Sequence, residues 1–182
     1  MRIVRIIVSI LAVALSFTAL AGDSGFTSPN KAFAVVATAA SHRSDSYAIR
    51  TTADGRTLAT CPDDARCSGE PGPVVWSADS HLVAIHTQLT QHGGAADIWL
   101  LAANKAKHVQ AAFPDEDGNF YFTPKRWLNG TDLECEAFGI LHAQRAPDPK
   151  NPVKAYTLIM RVDRKAHTAK VFKTTKPNYG HF

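Results

Sequence analysis

The sequence predicts an all-β domain, and three observations carry that prediction. Segments rich in β-branched and aromatic residues recur along the chain, each bounded by Gly, Pro, Asn, Asp or Ser. Past residue 21, no segment keeps a helical apolar period through three turns. Finally, "PVVWSADSHLVAI" at 73–85 is echoed by "RWLNGTDLECEAF" at 126–138. In each copy a Trp is followed by turn formers and then a Leu, Trp76 with Leu82 and Trp127 with Leu133. A Trp closing one strand and a Leu opening the next is the pattern of a hairpin anchored at both ends in a core.

In chain order, residues 1–21 read as an export signal. Arg2 and Arg5 precede an apolar run at 6–20, and Ala19-Leu20-Ala21 supplies a small-residue cleavage site, so the mature chain would start at Gly22. The run falls short of the roughly 20 residues that a spanning helix needs. "LAGD" at 20–23 has Asp where a lipoprotein box carries Cys, so no lipid anchor is expected. The remaining chain suits one domain, at 22–175, with a short basic tail at 176–182.

Residues 31–38 have strand composition, and 46–61 form a hairpin candidate because Asp54-Gly55 suits the positive φ of a tight turn. Strands are expected at 82–87 and 97–103, with a turn at Asn104-Lys105 and a return at 108–113. An Ala-rich piece at 102–112 is the one helical rival. Further strands are expected at 133–141, 156–162 and 169–172, with a turn around Asp163.

"VVWSADSHLVAI" resembles the "xxWSPDGxxLAF" consensus of TolB-type β-propeller blades, and "DIWLLAANKAKHV" at 97–109 is similar to the strand pair that follows it there. Trp76, Asp79, Leu82 and Asp97-Ile98-Trp99 match, whereas Ser80 stands where Gly is usual and Ala78 where Pro is usual. The second copy keeps Trp127 and Gly130 and lacks the Asp. The resemblance implies blade-like units at about 70–115 and 120–175, in which these residues shape the sheet and do no chemistry. Two units are too few to close a propeller. They imply a sandwich of two antiparallel sheets with a leading hairpin, or an open propeller fragment completed by another chain.

Charge is unevenly placed. Residues 22–149 carry 10 Lys and Arg against 15 Asp and Glu, while 150–182 carry 8 against Asp163 alone. Because the two halves nearly cancel, nucleic acid is not an expected partner. In an oxidising compartment, Cys61 and Cys67 around "PDDAR" are expected to pair, leaving Cys135 as a buried thiol in an alternating strand. The eight histidines show no metal spacing, and no nucleophile elbow occurs, so no catalytic residue, cofactor or metal is expected. The acidic stretch at 113–122 places Arg126 where a calcium loop needs Glu, and reads as a solvated turn.

The loops at 86–97 and 142–156 fall at equivalent places in the two units and should emerge on one face. The second is stiffened by Pro147, Pro149 and Pro152. Arg145, Lys150 and Lys154 beside an exposed Tyr156 form the expected contact surface for a protein or cell-envelope partner. The expected function is an exported, non-catalytic binding protein. A small secreted hydrolase or glycan-acting protein, its site assembled from distant Asp, Glu and His, is the alternative.

Overall fold

The computed structural model describes residues 26–38, 46–62, 72–90, 93–142, 146 and 152–179, and every regular element among them is a strand. One sheet holds β1 (Phe33–Thr38), β2 (Ser46–Thr51) and β3 (Thr57–Thr60), all antiparallel. Gly55, at φ 69°, makes the β2–β3 turn as its Asp-Gly sequence requires.

The second sheet contains β4 (Val74–Trp76), β5 (Leu82–Thr90), β6 (Gly93–Ala102), β7 (Lys105–Ala112) and β8 (Gly118–Trp127). It continues with β9 (Asp132–Leu141), β10 (Val153–Asp163), β11 (Thr168–Thr174) and β12 (Asn178–Tyr179). Its order is β4-β5-β6-β7-β11-β10-β9-β8, with β12 beside β10. The β7–β11 pairing is parallel and joins the two hairpins. The sheet then curls until β8 meets β6, with Tyr121 opposite Gly94, and six strands from β6 to β8 close a barrel.

Glycine is required at that seam. A Cβ on Gly94 would lie 2.8 Å from the Thr87 carbonyl oxygen and 2.9 Å from the His86 ring. The neighbouring strand β5, which carries both groups, leaves no room for it.

Strand alternation fills the barrel. On β9, Leu133, Cys135, Ala137 and Leu141 are buried, whereas Glu136, Phe138 and Ile140 face out. On β10 the inward row is Tyr156, Leu158, Met160 and Val162, and Phe120 and Phe122 enter from β8. Each such apolar side chain contributes roughly 1.5–3 kcal/mol by leaving water. β5 and β6 are buried on both faces. Leu82, Ala84 and Ile98 point into the barrel, while Val83, Ile85, Trp99 and Leu101 form a second core with Phe33, Val35, Tyr47 and Ile49 of the small sheet.

The blade-repeat expectation is therefore corrected. The Trp76 and Trp127 segments are not two equivalent sheets; they are two hairpins of one sheet, β8–β9 in the closed barrel wall and β4–β5 reaching the outer edge beyond β6. The likeness is confined to the turns. Ser80 adopts φ 60°, the left-handed conformation for which the blade consensus uses Gly. Both Leu82 and Leu133 are fully buried, and the Trp127 indole donates to the Val75 carbonyl at 3.0 Å, so the two hairpins pack against each other. The sandwich expectation fails for a related reason: β8, read from sequence as a solvated turn followed by a strand end at Trp127, is a ten-residue strand that supplies the closing pair. The Ala-rich rival helix is β7, held by β6 on one side and β11 on the other.

Candidate functional site

Four hairpin turns meet at one end of the barrel: 77–81, 103–104, 128–131 and 164–167. The inward-facing rows change character as they reach it. On β7 the row Ala111 and Val109 continues to Lys107 and Lys105. On β10 the row Met160 and Val162 continues to Arg164, and on β11 the row Val171 and Ala169 continues back to His167. Strand alternation thus carries cationic side chains to the rim of an apolar interior.

They line an open cleft of about 400 Å³, together with His81 and Leu100. His81 Nδ1 lies 3.2 Å from the Leu101 carbonyl oxygen, which can only accept, so Nδ1 carries the proton there. His167 holds φ 54° while its carbonyl accepts from Gln110 N–H at 2.9 Å.

Arg164 fastens the mouth. Its Nη2 donates to Asp79 Oδ2 at 2.7 Å and to the Gly130 carbonyl at 2.6 Å, joining the β4–β5 and β8–β9 turns to the β10–β11 turn. Each of those turns has its own lock. Asp79 Oδ1 accepts from Ser77 Oγ and His81 N–H, and Asn129 Oδ1 accepts from Thr131 and Asp132 N–H groups at 2.8 Å each. Burial alone would raise the Asp79 carboxyl, but the hydrogen bonds from Ser77, Arg164 and His81 outweigh it and hold it at about 2. Arg164 Nε is buried with no acceptor among the described residues. The mouth gathers Lys105, Lys107 and Arg164, and Asp79, the carboxylate there, is committed to Arg164. Among the described residues no carboxylate pairs with Lys105 or Lys107.

The opposite end is plugged. Lys154 Nζ lies 2.7 and 3.0 Å from the two Glu116 oxygens, over the rings of Tyr156 (5.0 Å) and Phe120 (5.8 Å). The Tyr156 hydroxyl donates to the same carboxylate. Burial first, then the hydrogen bond and charge of Glu116, push the Tyr156 phenol well above its ordinary value. Phe113 stacks on Phe122 at 4.9 Å beneath this group.

A third polar network fixes the small sheet to the barrel. Trp99 Nε1 donates to the Tyr47 hydroxyl at 2.7 Å, which donates to Asp97 Oδ2 at 2.8 Å. His108 Nε2 lies 3.5 Å from Asp97 Oδ1 and its ring packs on Trp99. An Asp–His pair is a familiar start for base catalysis, but among the described residues no hydroxyl or thiol hydrogen-bonds His108. The described residues also contain no group of three ligands able to hold a metal.

Of the residues expected to form the contact surface, Arg145 and Lys150 lie outside the described residues. Tyr156 is buried, not exposed, and Lys154 turns inward to Glu116, so neither presents an outer face. Glu116 comes from the stretch read as a solvated turn; Asp115 and Asp117 there are exposed, but the Glu116 side chain turns inward to the barrel plug. Cys61 is buried in the second core and is not a free thiol, whereas its expected partner Cys67 lies outside the described residues. Cys135 is free and fully buried, and desolvation pushes its thiol up to about 12. The basic mouth was missed in the sequence because Lys105 and Lys107 belong to a stretch read as turn. The signal for it was their alternation with Val109 on a single strand face. No family model matches this chain, and no curated protein matches it.

Proposed function

We propose that the chain is an exported, non-catalytic binding protein that takes its ligand at the basic mouth of the barrel. One observation carries this reading: the inward rows of β7 and β10 end in cationic donors and that of β11 in the His167 imidazole around an open cleft, while the other buried polar groups described above are already paired. Lys and Arg held at a rim over apolar floor residues favour a ligand that brings its own charge and buries some of its body. The signal-like opening residues support export and a ligand of the cell envelope.

The test is retention of the purified protein on isolated envelope polymer, with Lys105→Ala/Lys107→Ala compared against Arg145→Ala/Lys150→Ala. The mouth variant should lose retention and the loop variant should keep it. Equal retention by wild type and the mouth variant overturns the reading.

A further inference from the structure

The ligand class follows from how the cations are arranged, on the reading that the mouth is the binding site. Lys105 and Lys107 sit two apart on β7, so their side chains leave the same face. Arg164 and His167 bound the turn between β10 and β11 and line the same cleft from the strand next to β7. Leu100, opposite Lys107 on β6, lines the cleft on the other side of β7. Arg164 is anchored by its contacts with Asp79 and Gly130, so its guanidinium is held in place before any ligand arrives. The lysines are unanchored point charges. An anionic group engaged by one of these pairs leaves the donors of the other pair free. A second anionic group on the same molecule can engage that other pair, and its contact then benefits from the first.

We infer that the mouth binds an oligoanion: a molecule carrying at least two phosphoryl or carboxylate groups, one engaged by Lys105 and Lys107 and another by Arg164 and His167. The Arg164–Asp79 contact shows the geometry in which this guanidinium donates to an anionic oxygen, at 2.7 Å. Phosphate and carboxylate share this chemistry, and the assay below separates them.

Calorimetric titration of the full chain at low ionic strength is the test, with tripolyphosphate and citrate as probes and orthophosphate as the single-anion control. Tripolyphosphate or citrate should bind with one-to-one stoichiometry and at least about tenfold more tightly than orthophosphate. The stronger of the two identifies the anion type. Lys105→Gln/Lys107→Gln should weaken the oligoanion about tenfold or more. Lys170→Gln/Lys173→Gln removes the same charge from exposed β11 positions outside the cleft and should change little. Equal weakening in both double variants would reduce the effect to net charge and overturn the proposal, as would oligoanion binding no tighter than orthophosphate. If neither oligoanion binds but the Lys105/Lys107 variant still loses envelope retention, the ligand class falls and the binding mouth stands. If retention is also unchanged, both fall.

Discussion

Replacing Glu116 with Gln tests whether Lys154 is part of the barrel plug. The substitution keeps the shape and an acceptor for the Tyr156 hydroxyl, but removes the charge that offsets Lys154. The two side chains retain 13% and 16% exposure, so the ammonium would be left largely withdrawn from water. Removing one partner of a buried pair costs about 3–5 kcal/mol; residual solvent and the faces of Phe120 and Tyr156 place this case near about 3. For a domain of this size that lowers Tm by about 6–12 °C. Glu116→Gln/Lys154→Met removes both charges and leaves an apolar stem among the aromatic rings, and should recover to within about 1 kcal/mol of the parent. Urea unfolding followed by tryptophan fluorescence, with Lys154→Met as the fourth protein of a cycle, measures the coupling. A cost below about 1 kcal/mol for the single change, or simple additivity in the double, would show that Lys154 is not held in the plug.

Three further outcomes are expected. Tyr47→Phe removes the hydroxyl between Trp99 and Asp97 and should cost about 1.5–3 kcal/mol, read from the urea midpoint, because a buried carboxylate loses a donor. Cys135 should resist thiol reagents in the native protein and react at the rate of global unfolding, since burial both hides it and holds its proton; labelling in native buffer that outruns unfolding would contradict its place in the core. Asp79 has a folded pKa of about 2, below its unfolded value of 3.8, so its contribution is present above pH about 4 and lost as the pH falls toward 2. Asp79→Asn should flatten that part of the acid unfolding curve, modestly because the side chain is 41% exposed and screened.

What the sequence disclosed was local. Alternation located the β9 strand and the inward row of β10, and the Asp-Gly turn placed the β2–β3 hairpin. The Trp–turn–Leu echo correctly marked two hairpins with both leucines in the core. It misled at the next level because a turn of this kind, closed by a side-chain lock, is demanded by hairpin geometry in many sheets and carries no information about which strands pair beyond it. Barrel closure depends on the parallel β7–β11 contact and on the meeting of Gly94 with Tyr121, pairs remote in sequence that no single-strand pattern encodes. β8 was hidden because its residues begin after an acidic stretch and include Pro124, which a bulge accommodates before Arg126. The basic mouth was hidden for the same reason as the closure: its cations come from strands separated in sequence and assembled only by the fold.

One consequence follows from β5 and β6 being buried on both faces. These two strands act as a party wall, and neither of the rooms they divide can be emptied alone. Stripping away residues 26–61 would expose Val83, Ile85, Trp99 and Leu101 to water along the outside of the barrel, while loosening the barrel would withdraw the surface on which Phe33, Val35 and Ile49 rest. The leading hairpin is thus no detachable ornament, and the whole chain should melt as one cooperative unit whichever side is disturbed first.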